Sequence, residues 1–373
     1  MKKSSSFSGS LGFVLAAAGS AVGVGNIWRF PYLCAKDGGG LFLLVYLVLV
    51  LTFGFTLLTT DVAIGRRTKQ NALNAFATLN KKWKFLGYLT FLVPTLIMTY
   101  YSVIGGWITK YFTLYLVSSG NAAAQDGFFT SFITSPVSPI VFMLIFLALT
   151  AWVVYCGVEK GIEKYSRYIM PGLLLLIIGI AIFSLTLSYT DESGMTRTGI
   201  EGLLVYIKPD FTGLTVQRFL NIALDAMSQL FFSLSVSMGI MITYGSYTGK
   251  GINIVNSTVM ICLFDTVVAL LAGLAIFPAV AHFDPSLLNS SRGVGLIFII
   301  LPQVFDSMGF VGKIVSFAFF LMVVIAAITS VMSLIEVATQ FVIQKFRADR
   351  KVSALIVAGV CFLVSIPIGI SLG

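Results

Sequence analysis

The chain has 373 residues, of which 57% are hydrophobic and only 10% are charged, and its mean hydropathy is +0.96. Soluble domains typically carry about 25% charged residues, so this composition excludes an ordinary soluble protein. The net charge of +9 then indicates basic loops beside a membrane, and we expect no nucleic-acid partner. The four cysteines have the spacing of neither a disulfide framework nor a zinc site.

Nine apolar segments are long enough to cross the lipid bilayer as helices, which requires about 20 residues each. The predicted fold class is therefore an all-α membrane protein. Glycine, proline and charged residues separate the segments, which cover residues 11–35, 41–65, 86–117, 138–157, 168–189, 217–247, 253–281, 309–343 and 353–372.

Lysine and arginine residues predict the orientation of these segments. They concentrate before the first segment and in the loops after the second, fourth and eighth, as Arg66, Arg67, Lys160 and Arg350 illustrate. Because loops on the cytoplasmic side carry an excess of such residues, we expect a cytoplasmic N-terminus and a multi-pass protein of the plasma (inner) membrane.

The first segment contains residues that a regular membrane helix does not require. Gly19 and Gly23 alone would fit a small-residue packing face, but packing does not account for Gly25, Asn26 and Arg29, which follow directly. An interrupted helix accounts for all five residues. Such a break frees backbone carbonyls to bind a cation and N–H groups to bind an anion.

The sixth segment has a matching irregularity at mid-span. Ser233, Ser235 and Ser237 alternate there and Gly239 follows. Serines that bond back to their own helix are the simpler explanation. However, paired interruptions in the two halves of a membrane protein indicate a transporter binding site.

Four ionisable residues fall within the segments, namely Arg29, Asp61, Asp265 and Glu336. Such residues form structural ion pairs or mark functional sites. Asp61 fits a packing role or a loop tether at the end of the second segment. Asp265 lies one-third of the way along the seventh segment, where an unpaired carboxylate is costly, so we expect a cation or a proton to accompany it.

With these residues identified, the chain resembles the neurotransmitter:sodium symporter family, and most closely its bacterial amino-acid transporters. The motif Gly-Ser-Ala-Val-Gly-x-Gly-Asn-x-Trp-Arg-Phe-Pro over residues 19–31 is highly specific. The similarity continues through residues 37–40, 231–235, 240–247 and 326–330. The resemblance implies an inverted-repeat transporter fold with interrupted first and sixth helices. It implies one transporter domain over 1–373, with a five-span repeat in 1–190 and an incomplete four-span repeat in 217–373.

The resemblance also implies a substrate site at the two interruptions. Tyr101 would donate its hydroxyl to the substrate carboxylate, and Phe232 would close over the substrate. Apolar residues would surround the substrate side chain. The implied substrate-binding residues are Ala21, Gly23, Gly25, Ile97, Tyr101, Phe232, Ser233, Ser235, Met238, Ser330 and Leu334.

Two sodium ions, and no organic cofactor, are implied in the same way. The first sodium site would use Ala21, Asn26, Ser233 and Asp265, together with the substrate carboxylate. The second sodium site would use Gly19, Val22, Ala326, Thr329 and Ser330.

The expected function is therefore sodium-coupled symport of a neutral, hydrophobic or aromatic amino acid by alternating access. Ala269 offers no anionic side chain near Asp265. Two sodium charges would be balanced by the substrate carboxylate and Asp265, so we expect transport that does not depend on chloride.

The resemblance implies gating roles for Arg29, Phe232, Gly161 and Pro171. Gly161 and Pro171 match a Gly-x9-Pro pattern of some bacterial members, in which the fifth span unwinds to admit water to the second sodium site. The usual carboxylate partner of Arg29 is on a tenth span, which is missing here. Lys3 and Phe7 only roughly resemble the N-terminal latch of the family, and Gln344 stands where an acidic partner is expected.

Family members have eleven or twelve spans, whereas this chain has five plus four, as expected of a fragment or a truncated gene product. An alternative function is therefore a truncated or non-transporting amino-acid-binding sensor of the same fold. A channel is a further alternative. An enzyme is the weakest reading, because the single histidine, His282, is expected in an outer loop and no nucleophile–base pair or metal cluster is evident. Association into a homodimer stays open.

Overall fold

The computed structural model of the protein describes residues 6–117, 120–190, 196–283 and 294–372. Helices occupy all nine predicted membrane segments. Seven of these are long and apolar enough to cross a bilayer without a sharp bend: Gly40–Thr68, Lys81–Leu116, Ser138–Cys156, Val158–Leu185, Ile254–Val280, Gly309–Phe346 and Arg350–Leu372. The predicted all-α membrane fold is therefore confirmed.

The other two spans are interrupted, as predicted. The first consists of the α-helix Ser10–Ala21 and a second helical piece, Gly25–Lys36, bent by 54° relative to it. The sixth consists of Val216–Ser233 and Ile240–Ser246. We refer to all nine as the first to ninth spans.

The fifth span begins ten residues earlier than predicted. A π-helix over Val158–Glu163 leads directly into the α-helix Lys164–Leu185. Gly157, with a φ of 102°, separates the fourth span from the fifth. The predicted loop residues Lys160, Lys164 and Arg167 therefore lie within a helix, because their long polar side chains are tolerated at its exposed membrane edge.

Short elements occupy several connections that the hydropathy pattern left as loops. They include Ala72–Leu79, Phe128–Ile133, Gly199–Ile207 and Leu301–Ser307, and an antiparallel pair of strands, Ser188–Thr190 and Thr196–Thr198. Thr198 and Glu201 form a capping box at the start of one of these helices, a signal that the Thr-x-x-Glu spacing carries. The helix of the seventh span, Ile254–Phe283, is longer than predicted. His282 therefore lies in the last turn of this helix and not in a loop.

Packing of the spans encloses the two interruptions. The first span contacts the fifth, seventh and eighth spans, and the eighth packs along the third. Large apolar side chains such as Leu51 and Leu175 are instead more than 70% exposed on the outside, as expected for surfaces that face lipid. The two interruptions meet in the interior, where the Ser235 hydroxyl donates to the Ser20 carbonyl.

Candidate functional site

The interruption of the first span has defined hydrogen bonds. The helix ends at Ala21, and Val22 has an extended backbone. The amide N–H of Gly23 donates to Asn26 Oδ1 over 3.1 Å, and that of Val24 donates to the Tyr101 hydroxyl over 2.9 Å. The Tyr101 hydroxyl also forms a hydrogen bond with the side chain of Ser330, so it links the break to the eighth span.

The interruption of the sixth span runs from Leu234 to Gly239. Ser235 and Ser237 have φ values of 53° and 61°, a left-handed conformation that is strained for residues other than glycine. The amide N–H of Ser237 donates to Asp61 Oδ2 over 2.8 Å. Asp61 is therefore a tether of the sixth-span interruption, a partner that its position at the end of the second span did not reveal.

Asp265 lies where the two interruptions meet. Asn26 Nδ2 donates to Asp265 Oδ1 over 2.7 Å, and the Ser233 hydroxyl donates to Asp265 Oδ2 over 2.7 Å. All three residues are buried, and none of the described lysines or arginines forms an ion pair with Asp265. A buried carboxylate without a positive partner is costly, so this cluster has the chemistry of a site that binds a cation or a proton.

The residues of the predicted second sodium site also meet in space. The Ser330 hydroxyl lies 3.4 Å from the carbonyl oxygens of both Ser20 and Val22. The Thr329 hydroxyl bonds to the carbonyl of Ala326, and a Cβ at Gly19 would lie 3.4 Å from Thr329 Cβ. Carbonyl and hydroxyl oxygens from the first and eighth spans therefore face each other.

A small cavity of about 30 Å³ lies between these two clusters. Ten of the eleven predicted substrate-binding residues line it, and Ser233 points instead at Asp265. The sequence analysis missed Ser20 and Ser333, which also line it and whose hydroxyls bond to each other over 2.7 Å. The lining residues are Ser20, Ala21, Gly23, Gly25, Asn26, Ile97, Tyr101, Phe232, Ser235, Met238, Ile240, Ser330, Ser333 and Leu334.

Phe232 separates the small cavity from a larger one. The larger cavity measures about 650 Å³, and Tyr101, Phe232 and Met238 line both. A Cβ at Gly25 would lie 2.7 Å from the Phe232 ring, so only glycine permits this ring to pack against the break. A rotation of Phe232 would join the two cavities.

Arg29 lies above Phe232 at the larger cavity. Its guanidinium carbon is 5.8 Å from the ring centroid of Phe232, and its nitrogens donate to Gln229 Oε1 and Ser228 Oγ over 3.1 and 2.8 Å. Gln229 Nε2 in turn donates to the Gly25 carbonyl over 3.2 Å. The hydrogen-bond partners of Arg29 on the sixth span are therefore neutral, and the carboxylate of Asp225 on the same span interacts with it electrostatically.

The opposite end of the first span is closed by a second polar cluster. Glu336 is fully buried and pairs with Arg350, whose Nη1 lies 3.1 Å from Glu336 Oε1. The Tyr247 hydroxyl donates to the same Oε1 over 2.5 Å, and Arg350 Nε donates to the Val154 carbonyl. This cluster joins the fourth, sixth, eighth and ninth spans.

The N-terminal segment packs against this end by aromatic contacts. The Phe7 ring centroid lies 5.7 Å from that of Tyr244 and 6.0 Å from that of Tyr247. Glu163 of the fifth span accepts from the Ser8 amide over 2.8 Å and forms an ion pair with Arg167. Gln344, which stands where the family latch has an acidic partner, accepts a hydrogen bond from the Asn71 amide. Lys3, the other residue of the predicted latch, lies outside the described residues.

The predicted gate of the fifth span is wound in this structure. Gly161 lies in the π-helix over Val158–Glu163, and Pro171 lies inside the α-helix that follows. Proline has no N–H group for the helix and disfavours its regular geometry. The Gly161–Pro171 segment thus contains two departures from a regular helix, and its unwinding stays a prediction.

Comparisons of the sequence and the fold with known proteins show what this chain is similar to. The family model described as the sodium:neurotransmitter symporter family matches residues 4–121 and 131–373. An uncharacterized sodium-dependent transporter of Bacillus subtilis, YhdH, is 38% identical over 97% of this chain and 78% of its own length. An uncharacterized sodium-dependent transporter of Haemophilus influenzae is 32% identical over 98% of this chain and 80% of its own.

Two further relatives have more specific names. The crystal structure of MhsT in complex with L-phenylalanine matches with a TM-score of 0.86 and 38% identity, and the match covers 99% of this chain and 81% of that one. The sodium- and chloride-dependent GABA transporter 2 of Mus musculus is 26% identical, with 95% of this chain and 65% of that protein covered.

Proposed function

Because the chain belongs to the sodium:neurotransmitter symporter family, we propose that it couples inward movement of sodium to transport of a neutral, hydrophobic or aromatic amino acid. Its fold and family are those of multi-pass membrane transporters. The observation that carries the proposal is the buried Asp265 cluster, which has no basic partner among the described residues and lies beside a cavity with polar and apolar lining residues. Such a site suits a sodium ion bound together with a carboxylate-bearing substrate.

The cavity lining supports the proposed substrate class. Ile97, Phe232, Met238 and Leu334 supply its apolar part, and no lysine, arginine, aspartate or glutamate is among the described residues that line it. The backbone at the first-span break and the Tyr101 hydroxyl would bind the α-amino and α-carboxylate groups. MhsT, of similar structure, was crystallised with L-phenylalanine. We therefore propose leucine-sized and aromatic amino acids as substrates.

Two sodium ions per amino acid would supply enough free energy for accumulation. Each charge that moves through 100 mV contributes about 2.3 kcal/mol, and a tenfold gradient contributes about 1.4 kcal/mol per ion. Two ions together then supply roughly 7 kcal/mol, which permits about 10⁵-fold accumulation of a zwitterion.

Alternating access would use the two ends of the first span. Rotation of Phe232 beneath Arg29 would open the site to the larger cavity. Release of the Glu336–Arg350 cluster, with unwinding between Gly161 and Pro171, would open the other end. We further propose that 1–190 and 217–373 correspond to the two inverted repeats, and that the N-terminus is cytoplasmic in a plasma-membrane protein.

Uptake and binding measurements on the same preparation test this function. Radiolabelled leucine, tyrosine and tryptophan would be supplied to proteoliposomes with and without an inward sodium gradient. Accumulation that requires the gradient is the expected result. Sodium-dependent binding without accumulation would instead favour the amino-acid sensor, and the absence of both would reject the proposal.

Chloride replacement should leave the transport rate unchanged. Asp265 supplies the negative charge that would balance the second sodium ion, and Ala269, one turn later, is buried and carries no anionic group. Uptake would be compared in sodium chloride and sodium gluconate, with choline chloride as the control that abolishes it. A loss of uptake in gluconate would contradict the charge balance proposed here.

Replacing Pro171 with alanine should lower the uptake rate several-fold and leave equilibrium binding intact. Alanine restores the N–H group that proline lacks, so the fifth span would resist unwinding when sodium leaves. Pro367→Ala is the matched control, because Pro367 also lies within a helix, on the exposed face of the ninth span. Equal uptake rates for Pro171→Ala and the unmodified protein would remove the unwinding step from the mechanism.

A further inference from the structure

The fifth span contains a buried hydroxyl group that the proposed mechanism does not use. Ser166 is 0% exposed, and its Oγ has no hydrogen-bond partner among the described residues. A buried hydroxyl without a partner is unfavourable. Ser166 therefore requires either a structural or a ligand-related explanation.

Local helix geometry does not supply the missing partner. Some other buried hydroxyls in membrane helices of this chain bond to a carbonyl four residues earlier, as Ser102 does to Met98 and Thr109 does to Gly105, whereas Thr266 and Thr339 have no partner among the described residues. The corresponding partner for Ser166 would be the carbonyl of Ile162, which lies in the π-helix Val158–Glu163. Ser166 forms no such bond, so its oxygen lone pairs and its proton are both free.

The hydroxyl lies against the predicted second sodium site. A Cβ at Gly19 would be 3.5 Å from Ser166 Oγ, 3.4 Å from Thr329 Cβ and 3.1 Å from Met170 Sδ. Gly19 and Thr329 are both predicted ligands of that site. Hard cations bind oxygen in preference to thioether sulfur, so Ser166 is the group of the fifth span that suits a sodium ion here.

We propose that Ser166 is a further oxygen ligand of the second sodium site, supplied by the fifth span. This inference rests on the proposed sodium-coupled function. Ser166 lies between Gly161 and Pro171, the segment that would unwind during release. Unwinding would withdraw one oxygen from the ion and so lower the affinity of the site at the step when sodium leaves.

Thermal unfolding of the full chain in detergent tests this role without any amino acid. The transition midpoint would be measured in choline chloride and over a titration with sodium chloride, because a ligand that binds only the folded state raises the midpoint. Ser166→Ala should leave the midpoint in choline unchanged or higher, since it removes an unpaired buried hydroxyl. The sodium concentration for half of the maximal rise should increase about fivefold or more.

Two further variants separate a ligand from a packing group. Ser166→Cys keeps the volume but replaces the hard oxygen with sulfur, so it should respond to sodium as Ser166→Ala does. Ser184→Ala is the matched control on the same helix, because Ser184 Oγ donates to the Ala275 carbonyl over 2.7 Å. Its midpoint should fall equally in both salts, with an unchanged sodium titration.

The outcomes distinguish this inference from the proposed function. A wild-type sodium titration in Ser166→Ala, with normal sodium-driven uptake, would overturn the role of Ser166 alone. A titration of Ser166→Cys that matches that of the unmodified protein would overturn it too. If the unmodified protein neither responds to sodium nor accumulates amino acid, the symporter function and this inference both fail.

Discussion

Substitution of Asp265 with alanine is expected to raise the sodium concentration needed for amino-acid binding by about 100-fold or more. Removing one partner of a buried charge pair costs about 3–5 kcal/mol, and about 1.4 kcal/mol corresponds to tenfold in affinity. Asp265 is fully buried and accepts hydrogen bonds from Asn26 and Ser233, so solvent cannot replace its charge. Equilibrium binding of labelled leucine as a function of sodium concentration measures the effect.

The same variant should behave differently when sodium is absent. Without a cation, Asp265 is a buried carboxylate that lacks a basic partner among the described residues, so its removal should raise the thermal unfolding midpoint in choline chloride. Asp265→Asn keeps an oxygen ligand but not the charge, so it should lose less sodium affinity than Asp265→Ala. Ser102→Ala is the control, because the Ser102 hydroxyl is buried but bonds to the Met98 carbonyl and not to Asp265. Normal sodium dependence in Asp265→Ala would exclude Asp265 from the first sodium site.

Arg350→Ala is expected to lower the free energy of unfolding by about 3–5 kcal/mol, because it leaves the buried carboxylate of Glu336 without its partner. The guanidinium of Arg350 bonds both oxygens of Glu336 and the Val154 carbonyl. The unfolding midpoint should fall sharply, and sodium-driven uptake should fall with it as this end of the molecule opens.

A double-mutant cycle isolates the pair from its surroundings. Glu336→Gln together with Arg350→Ala removes both charges and should recover much of the lost stability. Lys36→Ala is the matched control, because Lys36 pairs with Asp225 and the two side chains are 48% and 28% exposed, and exposed ion pairs contribute only about 0–1 kcal/mol. Additive effects of the Glu336 and Arg350 substitutions would show that the two groups do not interact.

Local sequence was sufficient to predict the spans and their interruptions. A run of about 20 apolar residues has few stable alternatives to a helix in lipid, and the glycines at 19, 23 and 25 weaken one such helix at mid-membrane. The predicted start of the fifth span was wrong. Lys160, Lys164 and Arg167 lower the local hydropathy as loop residues do, although their backbone is helical. The capping box at Thr198 was a usable local signal that hydropathy alone overlooks.

The sequence by itself determined the membrane class and the two interrupted helices, and it predicted a cation or a proton at Asp265, since these follow from helix length, backbone freedom and charge burial within one segment. Only the tertiary structure decided which distant groups meet: Asp61 with the Ser237 amide, Glu336 with Arg350, and Ser166 with Gly19. These pairings depend on how helices far apart in the chain are rotated and aligned. Helix periodicity within a single span does not contain that information, because it specifies which face is polar but not which neighbour the face meets.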